Sequence, residues 1–239
     1  TLMCTTHDRI ANICEYMRQN QDKYKDFKFY PCMPYAHKYA NAVTELGIMG
    51  TLKAYIPGNI LSVASKAGIA YMRKDFPTLM ELLIDAEMKM FHDLNTPVIF
   101  LQNVIVDLLM GLGTDEIFVH YVNYIKEKYN ASPGFITMNL PKMVDLCERL
   151  DIENPIICSS INKIGFRMSG SNEIYEDYLN SDKEFRPMAM QCLAAGALKP
   201  EEAMEYVCRF PKIESVLFGA SSRAHIQQIK DLVESYSQK

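Results

Sequence analysis

Apolar runs of four to seven residues recur along the chain, and most are separated by stretches of helical periodicity. That alternation constrains the fold more than any other feature. The runs fall at residues 2–5, 27–33, 47–52, 97–103, 134–139, 155–160, 186–190 and 215–219, with 47–52 the weakest. They are continuous rather than alternating in polarity, as parallel strands covered on both faces require. Between them, Ile10, Ile13, Cys14 and Met17 repeat at helical spacing, as do Ile226, Ile229, Leu232 and Val233. Pro200 followed by Glu201 and Glu202 marks a helix start, with acids beside the positive dipole end, and Asn139 ahead of Pro141 marks another.

Eight strand–helix repeats joined by right-handed crossovers predict an α/β fold, a (β/α)8 TIM barrel forming one domain over residues 1–239. If 47–52 is a loop, the barrel lacks its first strand, which would then lie ahead of Thr1. A doubly wound open sheet is the competing architecture. Residues 57–95 are too long for a simple connection. They predict a helical insertion, with helices near 59–68 and 78–91, that serves as a lid, as a contact in a homo-oligomer, or as extra packing.

Composition narrows the function classes. A hydrophobic fraction of 49% is ample for a core, and a net charge of −4 argues against a nucleic-acid surface. The chain has no apolar run of 18 residues for a membrane helix and no signal-peptide pattern at its start. Seven cysteines, an odd number without Cys-x-x-Cys spacing, predict reduced thiols in a cytoplasmic protein. There is no Gly-x-Gly-x-x-Gly turn after a strand, no phosphate loop ending Gly-Lys-Ser/Thr, and no His-Glu-x-x-His pair. No metal site is expected.

In a parallel barrel, ligands bind where strands end, so the βα turns hold the candidates. The last turn, Gly219-Ala220-Ser221-Ser222-Arg223, joins a strand end to a helix start, where free backbone N–H groups and Arg223 suit a phosphate or carboxylate. The predicted partner is therefore a small anionic or phosphorylated molecule. His7 is the acid–base candidate, with Asp8 either its partner or a helix cap. Tyr35, with His37 nearby, could donate a proton to a carbonyl. Asn103 and Asp107 share a helical face and could hold a hydroxyl or amide. Lys163, flanked by apolar residues, is either a nucleophile or charge partner in a pocket or a solvent-directed side chain. Ser159, Ser160, Asn162, Gln191 and Cys192 complete the polar rim, and Cys32, Cys158 and Cys192 also stand near strand ends.

Three segments resemble the aldo-keto reductases. Residues 134–139, Gly-Phe-Ile-Thr-Met-Asn, look like the Gly-Val-Ser-Asn of their fifth strand. Residues 188–198 look like their seventh strand and its Pro-Leu-x-x-Gly turn, and residues 216–222 like the Gly-Ala-Ser of their eighth. The resemblance covers about residues 134–236. It implies a barrel whose last turn holds the phosphate end of a nicotinamide cofactor, NADP or NAD, and hence an oxidoreductase. The early strands depart from the family: the strand ending at Met33 has no lysine, and Gln102 or Asn103 stands where its histidine would be. The resemblance therefore supplies no catalytic residue, and it fits a divergent branch lacking the reductase set. Two function classes follow. One is an enzyme of this type, or a non-redox lyase or isomerase using Lys163 or His7. The other is a catalytically silent scaffold that docks partners through residues 57–95.

Overall fold

A computed structural model of the protein describes residues 1–35 and 75–237. The strand candidate at 47–52 and the helices expected at 37–46 and 59–68 lie outside the described residues, as does His37. Contacts group the chain into two compact units, Thr1–Pro133 and Gly134–Lys239.

The first unit opens with β1 (Leu2–Cys4), α1 (Asp8–Gln19), α2 (Gln21–Tyr24) and β2 (Phe29–Met33). It continues with α3 (Phe76–Met88), a 3-10 turn (Lys89–Phe91), β3 (Val98–Leu101), α4 (Asn103–Leu112) and α5 (Asp115–Tyr129). β1 and β2 are parallel, with Leu2 opposite Phe29, and β2 and β3 are parallel, with Cys32 opposite Phe100. All four residues of β3 are buried, as its unbroken Val-Ile-Phe-Leu run requires. α3 starts where the Asp75 carboxylate accepts the Thr78 N–H at 3.1 Å, with Pro77 in the first turn. α4 stops at Gly113, whose φ of +68° is the left-handed conformation that favours glycine.

The second unit carries most of β4 (Ser132–Thr137), then α6 (Leu140–Arg149), β5 (Ile156–Ser160), α7 (Asn172–Asn180) and β6 (Arg186–Met190). α8 (Pro200–Cys208), β7 (Ser215–Val216) and α9 (Arg223–Ser237) complete it. β4 pairs with β5, β5 with β6 and β6 with β7, all parallel, with Ser160 opposite Met190 and Ala189 opposite Val216. Asn139 caps α6 by accepting the Lys142 N–H, and Ser171 caps α7 by accepting that of Ile174. The hydroxyl of fully buried Tyr175 donates to the Met138 carbonyl at 2.7 Å and accepts the Leu140 N–H. A buried phenol needs such partners.

The expected closed barrel is not what these strands form. The seven described strands follow chain order, β1 through β7, and among the described residues β7 pairs with β6 and not with β1. The fold is α/β with an open parallel sheet. Closure needs enough strands, at a consistent tilt and stagger, to return the last to the first. β7 has only two residues and β1 three, and both are partly exposed. Apolar runs report that strands are parallel and covered, which open and closed sheets share, so local pattern could not distinguish the two.

Candidate functional site

The second unit contains a cavity of about 570 Å³ at the C-terminal ends of β6 and β7. It is lined by Met190, Gln191, Cys192, Leu193 and Ala195 after β6, by Leu217, Phe218 and Gly219 after β7, and by Phe166 and Arg167 from the loop after β5. Its volume is in the range of small-molecule sites.

Local chemistry holds the walls. In the loop after β5, the Oδ1 of fully buried Asn162 accepts the Phe166 N–H and its Nδ2 donates to the Phe166 carbonyl, both at 2.8 Å. Asn172 Nδ2 donates to the Lys163 carbonyl at 2.7 Å. Gly165 sits between them at φ +71°, where an added Cβ would stand 3.0 Å from Asn172 Oδ1. Phe166 and Arg167 are thus presented from a pinned turn. Arg167 lies 5.6 Å from the Phe166 ring centroid, and no carboxylate pairs with it among the described residues.

The wall after β6 carries left-handed backbone at Gln191 (φ +54°), Ala194 (+46°), Ala195 (+56°) and Gly196 (+90°). Arg167 adds a fifth such residue across the cavity, at φ +52°. For residues with a Cβ, this conformation costs about 1–2 kcal/mol each. Such residues concentrate where a binding surface must be shaped.

The third wall is the turn into α9. Ser222 is the cap: its Oγ accepts the His225 N–H at 3.2 Å and its carbonyl accepts that of Ile226. Among the described residues, the backbone N–H groups of Phe218, Gly219 and Ala220 make no hydrogen bond. Gly219 through Arg223 are exposed, and a Cβ on Gly219 would meet nothing within 4 Å. Of these five residues Gly219 lines the cavity, while Arg223 stands outside its lining.

The other sequence candidates fall elsewhere. Lys163 is not in an apolar pocket: its Nζ pairs with Glu202 at 2.6 Å, with both side chains about half exposed (52% and 42%). His7 is the cap of α1, its Nδ1 accepting the Arg9 N–H at 3.2 Å, while Asp8 occupies the first turn, exposed. Asn103 is the first residue of α4, on its half-buried side. Tyr35 follows β2, and its backbone N–H, at 2.8 Å, donates to Glu87.

Glu87 escaped the sequence reading. It is 3% exposed on α3, accepts the Thr6 hydroxyl at 2.7 Å and the Tyr35 N–H, and has no cation partner among the described residues. The signal was present: Met80, Ile84, Glu87 and Met88 share the buried face of one helix, so the acid interrupts an apolar stripe. Arg167 was missed too, although Phe166-Arg167 between Gly165 and Gly170 places an aromatic–basic pair inside a glycine-bounded turn.

The thiols are shielded. Burial pushes Cys192 up to about 12 and raises Cys158 further, with Cys192 adding to the effect. A thiol so raised is no nucleophile at neutral pH. Among the described residues no group of three His, Cys, Asp or Glu side chains could hold a metal ion, and no helix is long and apolar enough to cross a membrane. Comparison of the chain with family models, with curated proteins and with solved structures finds no match.

Proposed function

We propose that the second unit binds a small anionic molecule, a phosphate or carboxylate with an apolar body, in the cavity at the ends of β6 and β7. The observation that carries this is the pairing of an apolar wall with a cation that has no carboxylate partner among the described residues. Phe166, Met190, Leu193, Leu217 and Phe218 supply the wall, and Arg167 the charge. The N–H groups of Phe218 and Gly219, unbonded among the described residues, add donors at one end. Nicotinamide nucleotides and sugar phosphates are the phosphorylated forms this reading includes.

The lining supports binding better than it supports reduction, isomerisation or lysis. Its ionisable side chains are Arg167, which stays charged, and Cys192, whose thiol stays protonated near neutrality. Neither is a proton shuttle at neutral pH. Lys163, the lysine expected for lyase chemistry, is engaged by Glu202.

The test is a thermal-shift and calorimetric panel of NADPH, NADH, glucose 6-phosphate, ribose 5-phosphate and phenylpyruvate. At least one should bind the wild type, and Arg167→Ala should weaken it. Binding that ignores Arg167 places the anion elsewhere, and Arg223→Ala then tests the turn into α9. No binding across the panel removes the reading.

A further inference from the structure

We infer that Gln191 reads a hydrogen-bond acceptor on the ligand, a carbonyl-type oxygen carried by an apolar acid, and that Ser160 sets the orientation in which it does so. The inference rests on the anion-binding cavity proposed above and names the class of molecule it takes.

β6 ends at Met190, and Gln191 turns immediately into left-handed backbone. The turn is closed by the Ala194 N–H donating to the Gln191 carbonyl at 2.9 Å. A residue in this conformation leaves the two-sided alternation of the strand, so its side chain is re-aimed. Glutamine has a Cβ and gains nothing from φ +54°. Gln191 is one of the residues that line the cavity.

Ser160, fully buried at the end of β5, donates its hydroxyl to Gln191 Oε1 at 3.1 Å. The other acceptor in reach is the Met138 thioether, also at 3.1 Å, and sulfur is a weak acceptor. The serine proton therefore goes to the amide oxygen. That choice fixes the amide: its oxygen is turned to β5, and its NH2 is the end left over. Among the described residues Gln191 Nε2 makes no hydrogen bond.

The cavity thus presents the Gln191 amide donor and one cation, the exposed Arg167, beside an apolar wall. A ligand that satisfies all three has an apolar or aromatic body, an anionic group and a carbonyl-type oxygen. A donor held in a mostly apolar wall discriminates against an analogue lacking the acceptor, because the donor is then left unpaired.

The experiment compares phenylpyruvate with 3-phenylpropionate by calorimetry on the full chain. The two share ring and carboxylate and differ in the ketone. Wild type should prefer phenylpyruvate by roughly fivefold to tenfold, the value of one well-placed hydrogen bond. Gln191→Gly, which relieves the backbone and removes the amide, should bring the ratio to about one. Ser160→Ala should lower the ratio while leaving binding of 3-phenylpropionate unchanged, which a merely structural role would not do. Arg167→Ala should weaken both acids and keep the ratio. Gln191→Glu keeps the acceptor for Ser160 but removes the donors, so it answers the question if the glycine variant loses its fold. A wild-type ratio of one, or a ratio unaltered in Gln191→Gly, overturns the role of Gln191 and leaves the anion site standing. So does binding of a sugar phosphate with neither acid. No binding by any of these ligands overturns both.

Discussion

The strand ends of the two units put polar groups to opposite uses. In the first unit, Thr6 after β1 and Tyr35 after β2 both donate to the buried carboxylate of Glu87, and the polar atoms are consumed internally. In the second, Arg167 in the loop after β5 and the Gln191 Nε2 after β6 have no hydrogen-bond or ion-pair partner among the described residues, and left-handed backbone shapes the cavity wall there. A satisfied polar network rigidifies, whereas unpaired donors beside a cavity are what the proposed ligand would engage. The same architectural position can therefore serve as a stability element or as a binding element. Which one it becomes depends on whether a neighbouring helix supplies the missing partner.

The sharpest break of that contrast is Glu87→Ala. It removes the acceptor of the Thr6 hydroxyl and of the Tyr35 N–H and leaves a void, and should cost about 3 kcal/mol in urea unfolding. A loss under about 1 kcal/mol would show that the network is not structural. Arg167→Ala probes the other side. It should leave the urea midpoint unchanged and cut anion affinity by roughly tenfold or more, as loss of a charge-assisted contact does. Equal effects of both substitutions on stability would erase the distinction.

A third test uses acid. Asp85 on α3 accepts from Tyr124, from Tyr129 at 2.6 Å and from Lys128 at 2.5 Å, all on α5. Burial would raise its pKa, but these three donors outweigh burial and hold the carboxyl below the ordinary aspartate value. A depressed folded pKa contributes stability that is present above the unfolded value, near 3.9, and is lost as pH falls through the folded one. Asp85→Asn should therefore cost about 1–2 kcal/mol at pH 7 and progressively less below about pH 4. A pH-independent difference would rule the carboxylate out as the cause. The smallest effect belongs to Lys163→Met, which removes a solvent-facing pair with Glu202 and should shift stability by under about 0.5 kcal/mol with no change in ligand binding.

Local pattern carried the strands well. The runs at 97–103, 155–160 and 186–190 contain β3, β5 and β6, the run at 134–139 covers all of β4 but its first two residues, and the cap at Asn139 and the first-turn Pro200 stand where the helices start. Closure was not legible, because it depends on pairings distant in sequence. The run at 215–219 overstated β7, whose ladder ends at Val216 and leaves Leu217 to Gly219 as a cavity wall. Of the candidate site, Gln191 and Gly219 stood in the polar rim and line the cavity, whereas Lys163 and His7 found nearer partners in Glu202 and the Arg9 N–H. Glu87 and Arg167 were overlooked because their roles come from partners and backbone angles rather than from spacing.

α9 buries a single residue, Ile229, and its cap, Ser222, lies three residues past Gly219 in the cavity wall. So light an anchor predicts that this helix opens readily, with fast amide hydrogen exchange. Its opening and ligand occupancy then share one stretch of backbone. Any molecule that stiffens residues 217–219 withdraws part of the open population, so exchange along α9 should slow in proportion to saturation. On the proposed reading, α9 would report occupancy by deuterium uptake before the ligand's identity is known.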